Sequence, residues 1–281
     1  MDLKQKLGAV KRSLLGRVKN HLARVHISSS VQKTTLTKTA HHAHVDLFRL
    51  GNGPQKILFL SGIHGNEVGT VKLNCQLLNH LTKHKKDFRD FSFFFIPCLN
   101  PDGYMEACRH PDYANGGRIG RLNAHGVDLN RNFPTKSFQM FSVWGHGKKY
   151  AEKTKVFCGR KGASERETKA LLSLLHEEKI PTIFSFHNVA EDLCAARDPL
   201  SLELATDYAA KTGFTHMPHA EWLTLGQNGT LKDWCEENHV SFLEIEGSVK
   251  ATRWGSDWGR QKKALLSALA KIRAAGYNAA T

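Results

Sequence analysis

Five short runs of apolar, β-branched and aromatic residues leave this chain few folds. They are VDLFRL (45–50), ILFLSG (57–62), FSFFFIP (91–97), TIFSFH (182–187) and SFLEIE (241–246). Several are continuous rather than alternating, the pattern of a strand whose sheet is covered on both faces. Between and after them, apolar residues recur every three or four positions at 66–82, 165–179, 200–212, 230–238 and 260–275, which predicts helices. Ser164 and Glu167 form a Ser-x-x-Glu capping box expected to start the second of these. The alternation predicts an α/β fold: a single domain with a mixed, mostly parallel twisted sheet sandwiched by helices. A chain of 281 residues can bury the large core this needs.

Two stretches depart from the alternation. Residues 1–40 carry nine Lys or Arg against one acid, Asp2. Within them Leu3, Leu7, Val10, Leu14, Val18 and Leu22 make the stripe of an amphipathic helix. Residues 1–30 are therefore read as a basic N-terminal helix with a short serine connector, and 31–281 as the main domain. The stripe is expected to dock on that domain; contact with an anionic membrane surface is the alternative. The second stretch, 98–163, is rich in Asn, Gly, Arg and Pro and is read as a long loop kept for function.

The totals exclude more than they assign. No run reaches the roughly 20 apolar residues of a membrane-spanning helix, and charges interrupt the N-terminus before a secretory core develops. Six cysteines without a Cys-x-x-Cys pair argue for reduced thiols and a cytoplasmic location. The net charge of +14 favours acidic partners, but no nucleic-acid module is present and no nucleic acid is expected as a partner.

Chemistry enters at SGIHGNEVG (61–69), where His64 and Glu67 follow a strand. With 16 histidines and 14 glutamates, chance supplies about one His-x-x-Glu, so the pair alone decides nothing. A hydrolytic zinc takes three protein ligands and leaves a position open. Strand ends of an open α/β sheet converge on one crevice, and His187 closes TIFSFH. The cluster HHAH (41–44) is another candidate, although a solvated strand edge is its expected role.

The long segment adds NPDGY (100–104) and RLNAHGVDLNRNFP (121–134). With His-x-x-Glu before them, SERET (164–168) and SFLEIE after them, all in this order, the chain from about residue 40 to about 250 resembles the M14 family of zinc metallocarboxypeptidases. The resemblance implies a zinc carboxypeptidase fold and a peptidase using one Zn2+ ion. His64, Glu67 and His187 match the zinc ligands, and Glu244 matches the general base that takes a proton from the attacking water. Arg121 matches the arginine at the developing oxyanion. Asn130 and Arg131 match the clamp on the substrate's terminal carboxylate, for which a planar arginine fork is suited.

Alternatives remain beside these assignments. Glu246 shares a strand face with Glu244, Arg109 and Arg118 are further arginines of the segment, and Asp128 and Asn132 are expected to cap turns. Trp222, Trp234, Trp254 and Trp258 are expected in the core. Digestive members carry a tyrosine on a mobile loop shortly before the catalytic glutamate; here only Tyr208 lies between His187 and Glu244, too early to match, leaving Trp222 or Gln227 for that place. Asn66 stands where those members carry an arginine, so the form is closer to bacterial members, including those that trim peptidoglycan peptides. Leu231 or Lys232 falls near the specificity pocket. The expected substrate is a peptide or muropeptide with a free carboxylate, cut at its C-terminal or γ-glutamyl bond. The other reading is an N-acyl amino acid amidohydrolase of the succinylglutamate desuccinylase/aspartoacylase type, which the NPDG and NRNFP segments disfavour.

Overall fold

A strand needs its apolar side chains covered and its backbone paired, and the five apolar runs meet both demands. The computed structural model describes residues 29–110, 112–146, 152–188, 190–248 and 256–279. The strands are β1 (Val31–Lys38), β2 (His44–Leu50), β3 (Gln55–Ser61), β4 (Phe91–Ile96), β5 (Phe141–His146), β6 (Glu152–Phe157), β7 (Thr182–Asn188), β8 (Asp192–Ala195), β9 (Thr215–His216) and β10 (Ser241–Gly247). Among the described residues, eight of them form one sheet in the order β1-β2-β4-β3-β7-β10-β8-β9, and β5 pairs with β6 in a separate ribbon. The central strands β4, β3, β7 and β10 are parallel, with antiparallel pairing at β1, β2 and β8. The expected mixed, mostly parallel sheet is what forms.

The helices are α1 (Val68–Lys83), α2 (Pro101–Arg109), α3 (Arg166–Glu178), α4 (Pro199–Thr212), α5 (His219–Thr224), α6 (Leu231–Glu237) and α7 (Trp258–Ala279). Alternate residues of the strands feed two cores. Phe59, Phe184, Phe186, Leu243 and Ile245 join Leu77 of α1, Tyr208 of α4 and Leu269 of α7. Leu58, Leu60, Ile183 and Phe242 join Leu171 and Leu175 of α3 and Leu231 and Cys235 of α6. Phe59 stacks on Phe95 at 5.1 Å and on Phe184 at 5.3 Å between ring centres; such pairs add about 0.5–1.5 kcal/mol each beyond area burial.

Three expectations are corrected. The segment 98–163 is not a bare loop: it contains α2, a 3-10 turn at Leu129–Arg131, and the β5–β6 ribbon. Asn100 caps α2 by accepting from Gly103 N at 2.9 Å, and Pro101 fills its first turn, so the NPDG residues are a helix start. Ser164 does not cap α3. Glu165 occupies the N-cap without a side-chain cap bond, and Ser164 Oγ donates to Glu165 Oε1 while accepting from Asn132 Nδ2 at 2.9 Å. A long-range tie thus outcompetes the local box. The chain also adds strands that the apolar runs did not announce. β1 is an edge strand in which only Val31 is buried.

The expected helix in residues 1–30 lies almost wholly outside the described residues. No helix among the described residues is long and apolar enough to cross a membrane. All six cysteines are thiols rather than disulfides.

The order of the central strands prepares a site. From β3 the chain runs through α1 to β4 on one side, and it later lays β7 on the other side of β3. Such a reversal leaves a crevice at the carboxyl ends of the strands.

Candidate metal centre and active site

The crevice is filled by the residues that end β3, β7 and β10. Gly62 leaves β3 with φ +61°, and a Cβ there would meet Cys98 Cα at 2.9 Å; only glycine makes this turn without strain. Gly65 lies so close to α2 that a Cβ would sit 2.1 Å from Tyr104 N. Between and after these glycines, His64 and Glu67 are turned inward. Glu67 is the N-cap residue of α1 yet makes no side-chain cap bond, because its carboxylate faces two histidines. Oε1 is 2.9 Å from His64 Nδ1, and Oε2 is 3.2 Å from His187 Nδ1. The two imidazole rings stand 5.0 Å apart at 66°.

Among the described residues, His64, Glu67 and His187 are the one group of three such side chains whose ligand atoms all lie within 4.8 Å of one another. They fit zinc on chemistry and on spacing. Zinc bonds of 2.0–2.1 Å set tetrahedral ligand atoms about 3.3 Å apart, close to the 2.9 and 3.2 Å gaps around the Glu67 carboxylate. The other nitrogen of each ring is engaged behind the cluster, as outer partners of metal-binding histidines are. His64 Nε2 is 3.2 Å from Asp128 Oδ1, and His187 Nε2 is 3.1 Å from Ser185 Oγ. His64, Glu67 and His187 are at most 3% exposed.

Charge in the cluster points the same way. Burial raises the Glu67 carboxyl, but His64 and His187 outweigh it and hold the group at about 2. Burial lowers the His187 imidazole, but Glu244 and Glu67 carry it up to about 9. These carboxylates therefore draw positive charge into the space between the rings, where a cation would complete the set.

Glu244 lies on β10 opposite Ser185 of β7, and Glu246 lies opposite His187. Glu244 Oε2 is buried without a hydrogen-bond partner, 3.5 Å from His187 Nε2. The Glu246 carboxyl is pushed up to about 8 by burial, against the pull of His187 and with the repulsion of Glu67 and Glu244.

Arg121 is held by Asp128, with Nε and Nη2 at 3.0 and 2.9 Å from Oδ2, and it lies over the Trp144 ring at 4.5 Å. Asp128 also accepts from Asn130 N at 3.0 Å. It therefore caps its turn as expected, and it additionally fixes a histidine and an arginine, which the sequence reading missed. Burial raises its carboxyl, but Arg121 and His64 hold it well below the usual range. Asn130 Oδ1 accepts from Leu231 N at 3.1 Å, which leaves its amide donors for other partners. Arg131, 2% exposed, gives Nη1 to Asn130 O at 2.7 Å and Nε to Val143 O at 3.3 Å.

The other candidates fall outside the cluster. Arg118 donates to Thr154 Oγ1, and Arg109 contacts Met105 Sδ, both on the surface. Tyr208 is buried on the opposite face of the sheet, its hydroxyl donating to Gln261 Oε1 at 2.7 Å. Asn132 binds Cys158 O and Ser164 Oγ and keeps the following loop in place. Asn66 donates to Gly117 O and accepts from Tyr113 Oη. In HHAH, His44 Nδ1 pairs with Thr35 Oγ1 on the exposed edge of β1 and β2. Trp254 lies outside the described residues. Of the groups that sequence reasoning missed, Ser185 was within reach: it precedes His187 by two on a strand and so shares its face. Asp128 and Trp144 meet their partners only through the tertiary fold.

Comparison with known proteins agrees with this geometry. The family model for zinc carboxypeptidases, peptidase M14, matches residues 17–197. Murein peptide amidase A of Escherichia coli (strain K12) is 29% identical over 191 residues, covering 67% of this chain and 69% of that protein. The carboxypeptidase N catalytic chain of Rattus norvegicus is 36% identical over 87 residues, 28% of this chain and 19% of that one. Among solved structures, murein-tripeptide amidase from Escherichia coli O157 superposes with a TM-score of 0.60 at 20% identity, covering 86% and 91% of the two chains. Bovine thrombin-activatable fibrinolysis inhibitor gives 0.67 at 19% identity, covering 93% and 94%. At those identities the superpositions speak for the fold, and the family match extends them to the chemistry. The chain belongs to the M14 family of zinc carboxypeptidases and is a zinc-dependent peptidase.

Proposed function

We propose that this peptidase releases the terminal residue from peptides with a free carboxylate, with the γ-glutamyl bond of bacterial cell-wall peptides as its preferred target. The observation that carries the reading is the convergence of His64 Nδ1, the Glu67 carboxylate and His187 Nδ1, with Glu244 on the strand paired to the one that ends with His187. The similarity to murein peptide amidase A supports the cell-wall substrate. Cysteines present as thiols suit a reducing compartment, the cytoplasm in a bacterium.

His64, Glu67 and His187 would hold the zinc. When bound, zinc supplies Lewis acidity, polarising a carbonyl and lowering the pKa of water to about 7. Glu244 takes the proton of the attacking water and returns it to the departing amine; its Oε2 makes no hydrogen bond within the protein. Arg121 stabilises the negative oxygen that develops in the transition state. Asp128 and Trp144 fix its guanidinium beforehand, so no reorganisation is needed as the charge forms. Nη1 of Arg121 is the nitrogen that the Asp128 bonds leave for this role.

Asn130 and Arg131 receive the terminal carboxylate of the substrate. The bond from Leu231 N to Asn130 Oδ1 turns the amide donors of Asn130 toward an acceptor. The bonds of Arg131 through Nε and Nη1 hold its plane in place. Aligning the substrate in this way converts the attack into a unimolecular event.

The test is turnover by the zinc-loaded protein on peptides with free and amidated ends, a γ-D-glutamyl–diaminopimelate peptide, and N-acyl amino acids. Release from free ends alone is expected, with the γ-D-glutamyl peptide cut fastest. Glu244→Gln should lower kcat by about a hundredfold to ten-thousandfold with zinc content unchanged. Turnover confined to N-acyl amino acids, or full activity in Glu244→Gln, would reject the reading.

A further inference from the structure

The crevice lies at the carboxyl ends of the central strands, and the opposite pole of the sheet carries charge that none of the chemistry above uses. A groove of about 1180 Å3 opens there. Lys56 near the start of β3, Ser92 near the start of β4 and Glu178 at the end of α3 line it, which puts it at the amino ends of the parallel strands. Five cations line it, Arg49, Lys56, Lys85, Lys86 and Arg89, against one acid, Glu178. β3 spans seven residues between the two poles, so groove and crevice are about 20 Å apart.

The cations divide into two sets. Arg49 Nη1 donates to Glu178 Oε1 at 2.5 Å, and Lys56 Nζ donates to Glu178 O at 2.7 Å and to its Oε2 at 3.3 Å, so this pair is held around one carboxylate. Lys85, Lys86 and Arg89 lie in and just after the 3-10 turn Lys85–Phe88 and are exposed. Beside them Asp90 is clasped by Arg273, and Asp87 lies 3.8 Å from His84 Nδ1. The five cations less Glu178 and Asp87 still leave three positive charges unbalanced, and such a field draws in an anionic partner. The chain reaches the groove through Ser29 and Ser30, which also line it. Residues 1–28, outside the described residues, add seven Lys or Arg against Asp2, together with the apolar stripe from Leu3 to Leu22. Positive charge combined with apolar residues is the composition that suits an anionic lipid surface. A single-stranded nucleic acid calls instead for aromatic faces on which its bases stack. The aromatics of the groove are committed elsewhere: Phe93 and Phe94 are at most 3% exposed, and Phe88 packs on Phe91 and Phe93 with Arg273 over its ring.

We infer that this pole of the sheet docks on an anionic membrane surface, with Lys85, Lys86 and Arg89 meeting the phosphate headgroups. The inference does not depend on which peptide the crevice accepts. Arg49 and Lys56, fixed by Glu178, add two prepositioned donors along the same groove. The attraction fades within a Debye length, about 10 Å at 0.1 M salt, so cations at the other pole contribute little to it. Docking in this way turns His64, Glu67 and His187 away from the lipid, and a peptide in solution still reaches them.

The test is sedimentation of the full chain with vesicles of phosphatidylcholine alone or mixed with an equal part of phosphatidylglycerol. Binding to the mixed vesicles alone is expected, weakening as salt rises. Each Lys or Arg near such a surface contributes about fivefold to binding, so Lys85→Gln, Lys86→Gln and Arg89→Gln together should lower it about a hundredfold. All three side chains are exposed, and the fold does not depend on them. A control triple, Lys136→Gln, Lys155→Gln and Lys161→Gln, removes the same net charge from exposed positions outside the groove and should lower binding by less than about fivefold. Equal losses in the two triples would assign the attraction to overall charge and overturn the inference. Failure to sediment with the mixed vesicles, or equal sedimentation with both kinds, overturns it too. A single-stranded oligonucleotide bound through the same three residues, by a chain that ignores the vesicles, would name the other partner and overturn it as well.

Discussion

Replacing Asp128 by asparagine isolates the residue that ties the metal centre to the oxyanion arginine. The side chain is 0% exposed and keeps its shape, but the charge is lost and one oxygen becomes a donor. Two of its partners are also donors: His64 Nε2 at 3.2 Å and the Arg121 guanidinium at 2.9–3.0 Å. The amide therefore faces N–H against N–H on one side whichever way it turns. Removing one partner of a buried ion pair costs about 3–5 kcal/mol, and loss of an outer partner of a metal-binding histidine weakens metal affinity by about 10–100-fold. Urea unfolding of Asp128→Asn should show the first loss, and zinc competition against a chelator the second. Arg121→Met removes the unpaired cation, so the double variant should lose less stability than the two single losses summed, by about 1.5 kcal/mol or more. Zinc affinity within about twofold of the unmodified protein, with additive stability losses, would show that Asp128 orients neither group.

Two further expectations concern the clamp and the stability of the sheet. Arg131→Ala should raise KM for peptides with free ends far more than for amidated ones, and an unchanged ratio between the two would remove Arg131 from carboxylate recognition. Asp90 is held below its usual pKa chiefly by the two-pronged bond from Arg273, with Nε and Nη2 at 2.7 and 2.9 Å. A depressed carboxyl contributes stability above its unfolded pKa of about 4 and loses it as pH falls through the lower folded value. The difference between the unmodified protein and Asp90→Asn, up to about 1 kcal/mol for a partly exposed pair, should hold at pH 6 and vanish in acid. A difference that does not change with pH would refute the assignment.

Central elements were legible in the sequence because they are apolar along their whole length. TIFSFH and SFLEIE allowed no other placement, and β7 and β10 follow them to within a residue or two. β1 was not legible: VQKTTLTK is mostly exposed and is held to the sheet by pairing with β2 rather than by burial. The helix α2 was hidden in plain view, since Asn100 and Pro101 are good start signals but sit in a polar, glycine-containing stretch. Ser164 shows the converse failure. A correct local rule lost to Asn132, 32 residues earlier, which no periodicity can foresee.

Within the site, His64 and Glu67 could be found from their spacing and His187 from its place at a strand end. The roles of Asp128 and Trp144 exist only after folding, because Asp128 reaches His64 across 64 residues. Lys232 lies between the two cases. Its place on a helix at 230–238 could be read, but its burial against Trp222 and its shared partner Glu236 could not.

Anomalous diffraction at the zinc absorption edge, from crystals of the zinc-loaded chain, examines the central claim most directly. One peak is expected, about 2.0–2.1 Å from His64 Nδ1, His187 Nδ1 and a Glu67 oxygen, with both Nε2 atoms turned away. A peak elsewhere, coordination through Nε2, or no peak at this position in zinc-loaded crystals would contradict it.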